Sequence, residues 1–195
     1  VLSTVSLPQT LDFSSFTGSD LTTFYPNWAE ASGQPLPSTA GSSWLSTSGF
    51  GGGANVTARI NLYSNLKREW IVGPKFSASA CSSISFDAGI TDFADVSLAD
   101  PSGMTGTDDS VNVMVSTDCG STWTRIYSFN ASNQPVFALN NYQVSLAAYS
   151  GQDIIVAFFA TEGSIDNSPD YDFHLDNINI SNKIPIDASI TAVTA

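Results

Sequence analysis

Hydrophobic and polar residues alternate along this chain with a period of two, in segments of four to ten residues separated by clusters of Gly, Pro, Asn and Asp. The clearest segment is Ala54–Tyr63, where Val56, Ala58, Ile60 and Leu62 point one way and Asn55, Thr57, Arg59 and Asn61 the other. Such alternation puts one side of a strand on a core and the other in water. The same pattern predicts strands at Thr10–Phe16, Glu69–Val72, Ser82–Ile90, Ser110–Ser116, Thr122–Phe129, Tyr142–Ala147, Asp153–Ala160 and Asp172–Ile180, with weaker candidates at Thr23–Trp28 and Ser43–Leu45. Helical periodicity is hard to find. Strands at this spacing without βα alternation predict an all-β antiparallel sandwich of roughly nine to eleven strands. Leu36–Gly53 and Leu98–Asp109 read as long polar loops, which in compact domains are usually functional or mobile. The sandwich is expected to fill residues 1–182. Alternation resumes after it at Ile184, Ile186, Ala188 and Ile190, so 183–195 is expected to be a linker or the start of a following module.

Composition narrows the function classes. The 195 residues are 42% hydrophobic, enough for a core, but only 12% charged. Six Lys+Arg stand against eighteen Asp+Glu, a formal charge of −12. A phosphate-backbone binder needs clustered cations, and Arg59, Lys67, Arg68, Lys75, Arg125 and Lys183 do not cluster along the chain, so nucleic acid is excluded as a partner. No apolar run approaches the roughly 18–20 residues of a membrane-spanning helix, so membrane insertion is not expected. The acids are nearly all Asp, a turn and cation-ligand residue, and with abundant Ser and Thr they point to a loop-rich extracellular protein. Cys81 and Cys119 could pair, closing a loop of about 40 residues and contributing about 3–4 kcal/mol in the chain-entropy model. Two buried free thiols are the alternative.

Catalytic patterns are sparse. His174 is the only histidine, no GxSxG elbow presents a serine, and no ExDxE run lines a strand face. The loop Gly49–Gly53 lacks the Lys-Ser/Thr of a phosphate cradle. Asp172-x-His174-x-Asp176 would share one strand face, which suits a transition metal. The plainer account has His174 as a half-buried strand residue and the two acids engaged elsewhere. Calcium is the better match, since it takes roughly six to eight oxygens. Asp12 on the first strand, Asp176-Asn177 on the last, and the Gly51–Asn55 loop could together hold one ion. Asp108-Asp109 could form a second cluster, although a solvated acidic loop explains it more simply. Ser116–Trp123 (STDCGSTW) matches the Asp-box pattern SxDxGxTW, a hairpin in which the Asp accepts turn hydrogen bonds, Gly takes positive φ and Trp packs beneath. One copy specifies a hairpin, not a hydrolase. For stacking on a sugar, Trp44, Phe50 and Tyr171 sit in or beside loops, whereas Trp28, Trp70, Phe86, Trp123, Phe158 and Phe159 are expected in the core.

The order of motifs carries a resemblance. Asp12-Phe13 is followed by Tyr25-Pro26-Asn27-Trp28, then Gly53-Ala54-Asn55-Val56 and Trp70-Ile71-Val72-Gly73-Pro74. Next come Val111–Trp123, Val144–Gln152 (VSLAAYSGQ) and Leu175-Asp176-Asn177-Ile178. Over about residues 10–181 the chain resembles the cleaved-adhesin and choice-of-anchor domains related to MAM domains, as in gingipain haemagglutinin-adhesin regions. The resemblance implies a jelly-roll β-sandwich with structural calcium and no activity of its own. It also implies adhesion or carbohydrate recognition beside other modules of a secreted or surface bacterial protein, with an extracellular glycan or surface protein as partner. Asp176 matches the family's terminal acid and Asn55 a polar position near its site. The family's first-strand acid usually follows the Phe, where this chain has Ser14, and Asp12 is the expected substitute. The Cys119 variant of the box is consistent with a disulfide to Cys81 in a neighbouring strand. A carbohydrate-binding module of a polysaccharide-degrading enzyme is the alternative, and a monomer is expected in either case.

Overall fold

The computed structural model of the protein describes residues 4–63, 67–93, 95–100, 102–165 and 170–182; the expected linker at 183–195 lies outside them. The strands are β1 (Gln9–Leu11), β2 (Ala29–Ser32), β3 (Thr39–Ala40), β4 (Leu45–Ser48), β5 (Val56–Asn61), β6 (Arg68–Ser77), β7 (Ser82–Asp92), β8 (Ser110–Ser116), β9 (Thr124–Phe129), β10 (Asn140–Ser145), β11 (Asp153–Thr161) and β12 (Tyr171–Asn182). They form two antiparallel sheets. One runs β10-β7-β12-β5-β4 with β1 also on β12, and the other runs β3-β2-β6-β11-β8-β9. The all-β antiparallel sandwich expected from the alternation is the fold observed.

Period-two alternation builds the core. Ile84, Phe86, Ala88 and Ile90 of β7 and Phe173, Leu175, Ile178 and Ile180 of β12 face Val111, Val113 and Val115 of β8 and Val156, Phe158 and Ala160 of β11. Phe86 meets Phe158 edge-on at 4.9 Å, and Phe129 meets Phe173 at 5.4 Å, so aromatic contacts tie the sheets together.

The differences from the expected elements have local causes. Thr23–Trp28 is not a strand. Asp20 caps a single helical turn, α1 (Leu21–Phe24), by accepting from the Thr23 N–H and hydroxyl, and Glu30 accepts the Leu21 N–H at 2.7 Å. β1 stops at Leu11 because Phe13 takes φ 53° and turns the chain. β9 begins at Thr124 because the Asp-box turn occupies Thr122. The polar stretch Leu36–Gly53 contains two short strands, β3 and β4, an edge contribution too brief for alternation to reveal.

Cys81 and Cys119 do not pair, which corrects the expected disulfide. Cys81 lies in the turn entering β7, whereas Cys119 is at the tip of the β8–β9 hairpin, at the outer edge of the other sheet, and both thiols are free.

Replacing Phe158 by Ala should cost about 3–5 kcal/mol in urea unfolding, because its fully enclosed ring leaves a cavity between the sheets. Tyr63, with half its surface in water, should tolerate the same change within about 0.5 kcal/mol.

Candidate functional site

Three places on the sandwich concentrate polar side chains. The first is a junction on β12. Its Asp172–Leu175 half pairs with β5, and its Ile178–Ile180 half pairs with β1 along the same flank. Between them β12 bulges at Asp176–Asn179, with Asn177 at φ 49°. Asp12 just past β1 and Asn55 just before β5 therefore come to Asp176, and Asp87 of β7 lies directly across from Asp176. Asp176 accepts the Asn177 N–H at 2.8 Å, while Asn141 and Asn177 each donate to Asp87 at 2.8 Å. Burial pushes the Asp176 carboxyl up to about 6, with the charges of Asp87 and Asp12 adding to the effect. The three residues expected to share a cation, Asp12, Asn55 and Asp176, are thus brought together. Asp87 is a fourth member that the alternation of β7 did not single out. All four offer oxygen, the donor type a hard cation takes. Among the described residues, however, no three Asp, Glu, His or Cys side chains converge as a metal-holding group by themselves.

The second place is the outer side of β12, where Asp172 and His174 are fully buried. The His174 ring is held between the Thr57 and Thr91 hydroxyls, each 2.9 Å from one of its nitrogens. Asp172 pairs with Arg59 at 2.7 Å. The Phe50 ring lies edge-on over His174 at 4.8 Å and stacks on Phe137. Gly89, opposite His174, permits this cover, since a Cβ there would sit 2.6 Å from Phe50 Cζ and 2.8 Å from the Ala138 carbonyl. Burial, helped by the Arg59 charge, pushes His174 down to about 3. Both ring nitrogens of His174 and one oxygen of Asp172 are engaged within the fold, and Asp176 belongs to the junction with β1, so among the described residues the row does not gather as the transition-metal triad that its spacing allows.

The third place was not anticipated. On the outer side of the other sheet, residues align in cross-strand rows: Arg68–Thr161–Ser110, Trp70–Phe159–Asn112, and Val72–Ala157–Met114–Arg125. Trp70 stacks on Phe159 at 4.2 Å and meets Trp123 at 5.2 Å. Trp123 stands two residues before Arg125, at the close of the Asp box. The box turn itself forms as its motif requires. Asp118 accepts from the Thr122 N–H at 2.8 Å and hydroxyl at 2.7 Å, which holds its carboxyl below the usual range, and Gly120 takes φ 91°. Over these rows lies a groove of about 610 Å³, the size of a small-ligand site, lined by Trp123, Phe159, Asn112, Arg68, Arg125 and Asp108 among others. On its floor Asn112 Oδ1 and Trp123 Nε1 are buried without a hydrogen-bond partner.

The aromatic expectations are therefore rearranged. Trp70, Trp123 and Phe159 form a separate cluster on the outside of the sandwich and are not part of the core between the sheets. Trp44 and Tyr171 are 0% exposed and Phe50 only 7%, so none of the three presents a face to a sugar. Trp44 is part of the inter-sheet core, and the Tyr171 hydroxyl donates to Asp109 at 2.9 Å. Asp109 is itself 1% exposed, which corrects the reading of Asp108-Asp109 as a wholly solvated loop. One sequence signal pointed to the outer cluster: Phe158 and Phe159 are adjacent on a strand and cannot share a side.

No protein-family model matches the chain, and no curated protein matches it. Solved structures do match its fold. The K1 cleaved adhesin domain of Lys-gingipain from Porphyromonas gingivalis W83 superposes with a TM-score of 0.56 at 12% identity, over 91% of this chain and 99% of that one. CBM27-1 of Caldicellulosiruptor saccharolyticus, solved with mannohexaose, gives 0.52 at 13% identity over 92% and 99%. TmCBM61, solved with β-1,4-galactotriose, gives 0.51 at 8% identity over 88% and 94%. At such identities the likeness defines the class of fold, the β-sandwich of adhesin and carbohydrate-binding modules.

Asp109 and His174 should tilt the stability–pH profile in opposite directions. Burial pushes Asp109 up to about 6, above the unfolded value of about 3.9. Its contribution is complete below pH 4 and is lost as pH rises through 6. His174, at about 3 folded and about 6.5 unfolded, contributes fully above pH 6.5 and loses this as pH falls towards 3. Between pH 4 and 6, Asp109→Asn should make Tm rise more steeply with pH than in the unaltered protein, and His174→Gln less steeply. Thermal melts across that window check both, and an unchanged slope counts against the residue concerned.

Proposed function

We propose that this chain is a non-catalytic glycan-binding module of a secreted or surface-displayed multidomain protein, with its ligand in the groove on the outer side of the β2-β6-β11-β8-β9 sheet. The observation that carries this reading is the groove floor. There Trp123 and Phe159, backed by the enclosed Trp70, line the groove beside Asn112, Arg68 and Arg125. Sugar rings combine an apolar face with hydroxyls that both donate and accept, and such a floor offers partners for both. The solved complexes of fold neighbours with mannohexaose and galactotriose support a sugar over a protein surface as the target. Adhesion of the cleaved-adhesin type would use the same module with a different partner.

A calcium ion at Asp12, Asn55 and Asp176, with Asp87 beside them, belongs to the same proposal. It would offset the charges of Asp87 and Asp12 that act on Asp176 and staple β1 to β12, taking its remaining oxygens from backbone carbonyls and water. A ligand bound only by the folded state stabilises it by mass action.

Affinity electrophoresis against a panel of soluble polysaccharides tests the groove. At least one should retard the protein, and Trp123→Ala should weaken that binding about tenfold or more. A protein retarded by none, or a Trp123→Ala variant that binds as before, would overturn the reading. For the cation, EDTA should lower Tm and calcium restore it, and Asp176→Asn should abolish the response. An unchanged melt with no calcium in the sample would remove the ion and leave the groove untouched.

A further inference from the structure

Building on the glycan reading of the groove, we propose that its ligand is acidic: a uronate-bearing polysaccharide whose carboxylate is taken by Arg125.

The local charge runs against that of the chain. Over the whole sequence Asp+Glu outnumber Lys+Arg eighteen to six, yet the groove is lined by two arginines, Arg68 and Arg125, and one acid, Asp108. That acid is already answered. Asp108 accepts from the Ser164 N–H at 2.7 Å, the Ser164 hydroxyl at 3.0 Å and the Ile165 N–H at 3.3 Å, and these bonds hold its carboxyl below the usual range. Arg68 is fixed in the wall by neutral acceptors only: Gln34 Oε1 at 2.7 Å and the carbonyls of Lys67 and Gly163. Its positive charge meets no carboxylate within ion-pair distance among the described residues.

Arg125 differs from the other described arginines. Arg59 is paired with Asp172, and Arg68 is hydrogen-bonded as above. Arg125 has neither a hydrogen bond nor an ion pair among the described residues, and it stands in the row of Met114 on the same wall as Trp123. A free guanidinium beside an aromatic floor is a fork for a two-oxygen anion, which it meets through parallel charge-assisted hydrogen bonds. A uronate supplies that group on a ring whose apolar face suits Trp123 and Phe159 in the lining. A sulfate ester carries the same single charge and also offers oxygens to a guanidinium fork, so sulfated oligosaccharides compete with uronates for this site. An acidic peptide added as a strand would pair along the open edge of β9, beside the groove and not across the side-chain rows that line it. The net charge of the chain does not forbid an anionic ligand, since at physiological salt its field is screened over about 8 Å.

Calorimetry with matched oligosaccharide pairs tests this: galacturonate, mannuronate and glucuronate oligomers, each against its carboxyl-reduced counterpart. At least one acid should bind tenfold or more tightly than its neutral twin. Arg125→Gln should bring its affinity down to the neutral level, and Arg125→Lys should recover only part. Raising the salt should weaken binding of the acid and leave the neutral twin unaffected. Arg125 is exposed and unpaired, so both variants should keep the parent Tm. Equal binding of acid and neutral twins, or an Arg125→Gln variant that still prefers the acid, would overturn the inference while leaving a glycan groove. Binding of sulfated oligosaccharides or an acidic peptide in preference to every uronate would overturn it too. No binding of any glycan, acidic or neutral, would remove the glycan reading itself.

Discussion

β11 is buried along almost its whole length, on both sides of its sheet. A central strand of that kind needs two covers, because apolar surface left in water forfeits the burial that stabilises the fold. On the inner side the cover is the opposing sheet, through Val156, Phe158 and Ala160. On the outer side, among the described residues, Ala157 and Phe159 are covered by large side chains projecting from β6, β8 and the Asp-box hairpin. Trp70 closes most of that surface and is anchored by its indole N–H to the Gly33 carbonyl at 2.8 Å. The cover ends at Trp123, and the groove begins there. The candidate site is thus the margin of a packing solution, where an apolar layer only one side chain thick meets water.

The opposite face solves the same problem with different chemistry. β12 carries Asp172, His174 and Asp176 outward, so its outer side needs hydrogen-bond partners before it can be enclosed. Thr57, Thr91 and Arg59 provide them, and Phe50, lying across the small Gly89, then shuts the surface. Partner and lid together enclose His174 and Asp172. Where β5 gives way to β1 along the flank of β12, Asp12, Asn55, Asp87 and Asp176 gather.

Alternation made the sandwich legible; the pairing of Asp12 with Asp176 follows from first and last strands lying side by side, and the Asn55 side chain from the family resemblance. Alternation failed for the aromatic residues. In β6 both Trp70 and Ile71 are apolar, and in β11 both Phe158 and Phe159 are, so a period of two cannot tell the inner side from the outer. Large aromatics in strands usually enter the core and loop aromatics usually stay outside, yet here Trp70 and Phe159 pack on the outer side while Trp44 and Phe50 are buried. Trp44 is drawn inward beside β4, in a segment too short to show alternation. Phe50 is drawn down by the ring of His174, a contact across 124 positions that no local pattern encodes. The cysteines misled for a related reason, since loop length constrains how much a disulfide would stabilise but not whether two turns on different sheets can meet.

The junction and the groove lie on different sheets, and this separation has a physical consequence. A cation at the junction would act on the docking of β1 against β12, while the groove depends on rows of side chains carried by β6, β11, β8 and β9. The two are joined only through the inter-sheet core, which is aromatic and closely packed and transmits little without repacking. Stability and recognition can therefore vary independently in this architecture. Side chains at the groove rim can change with the ligand while the junction acids and the His174 network keep the scaffold unchanged. An arginine left without a partner on such a rim costs the fold almost nothing, because its guanidinium stays in water until a ligand arrives.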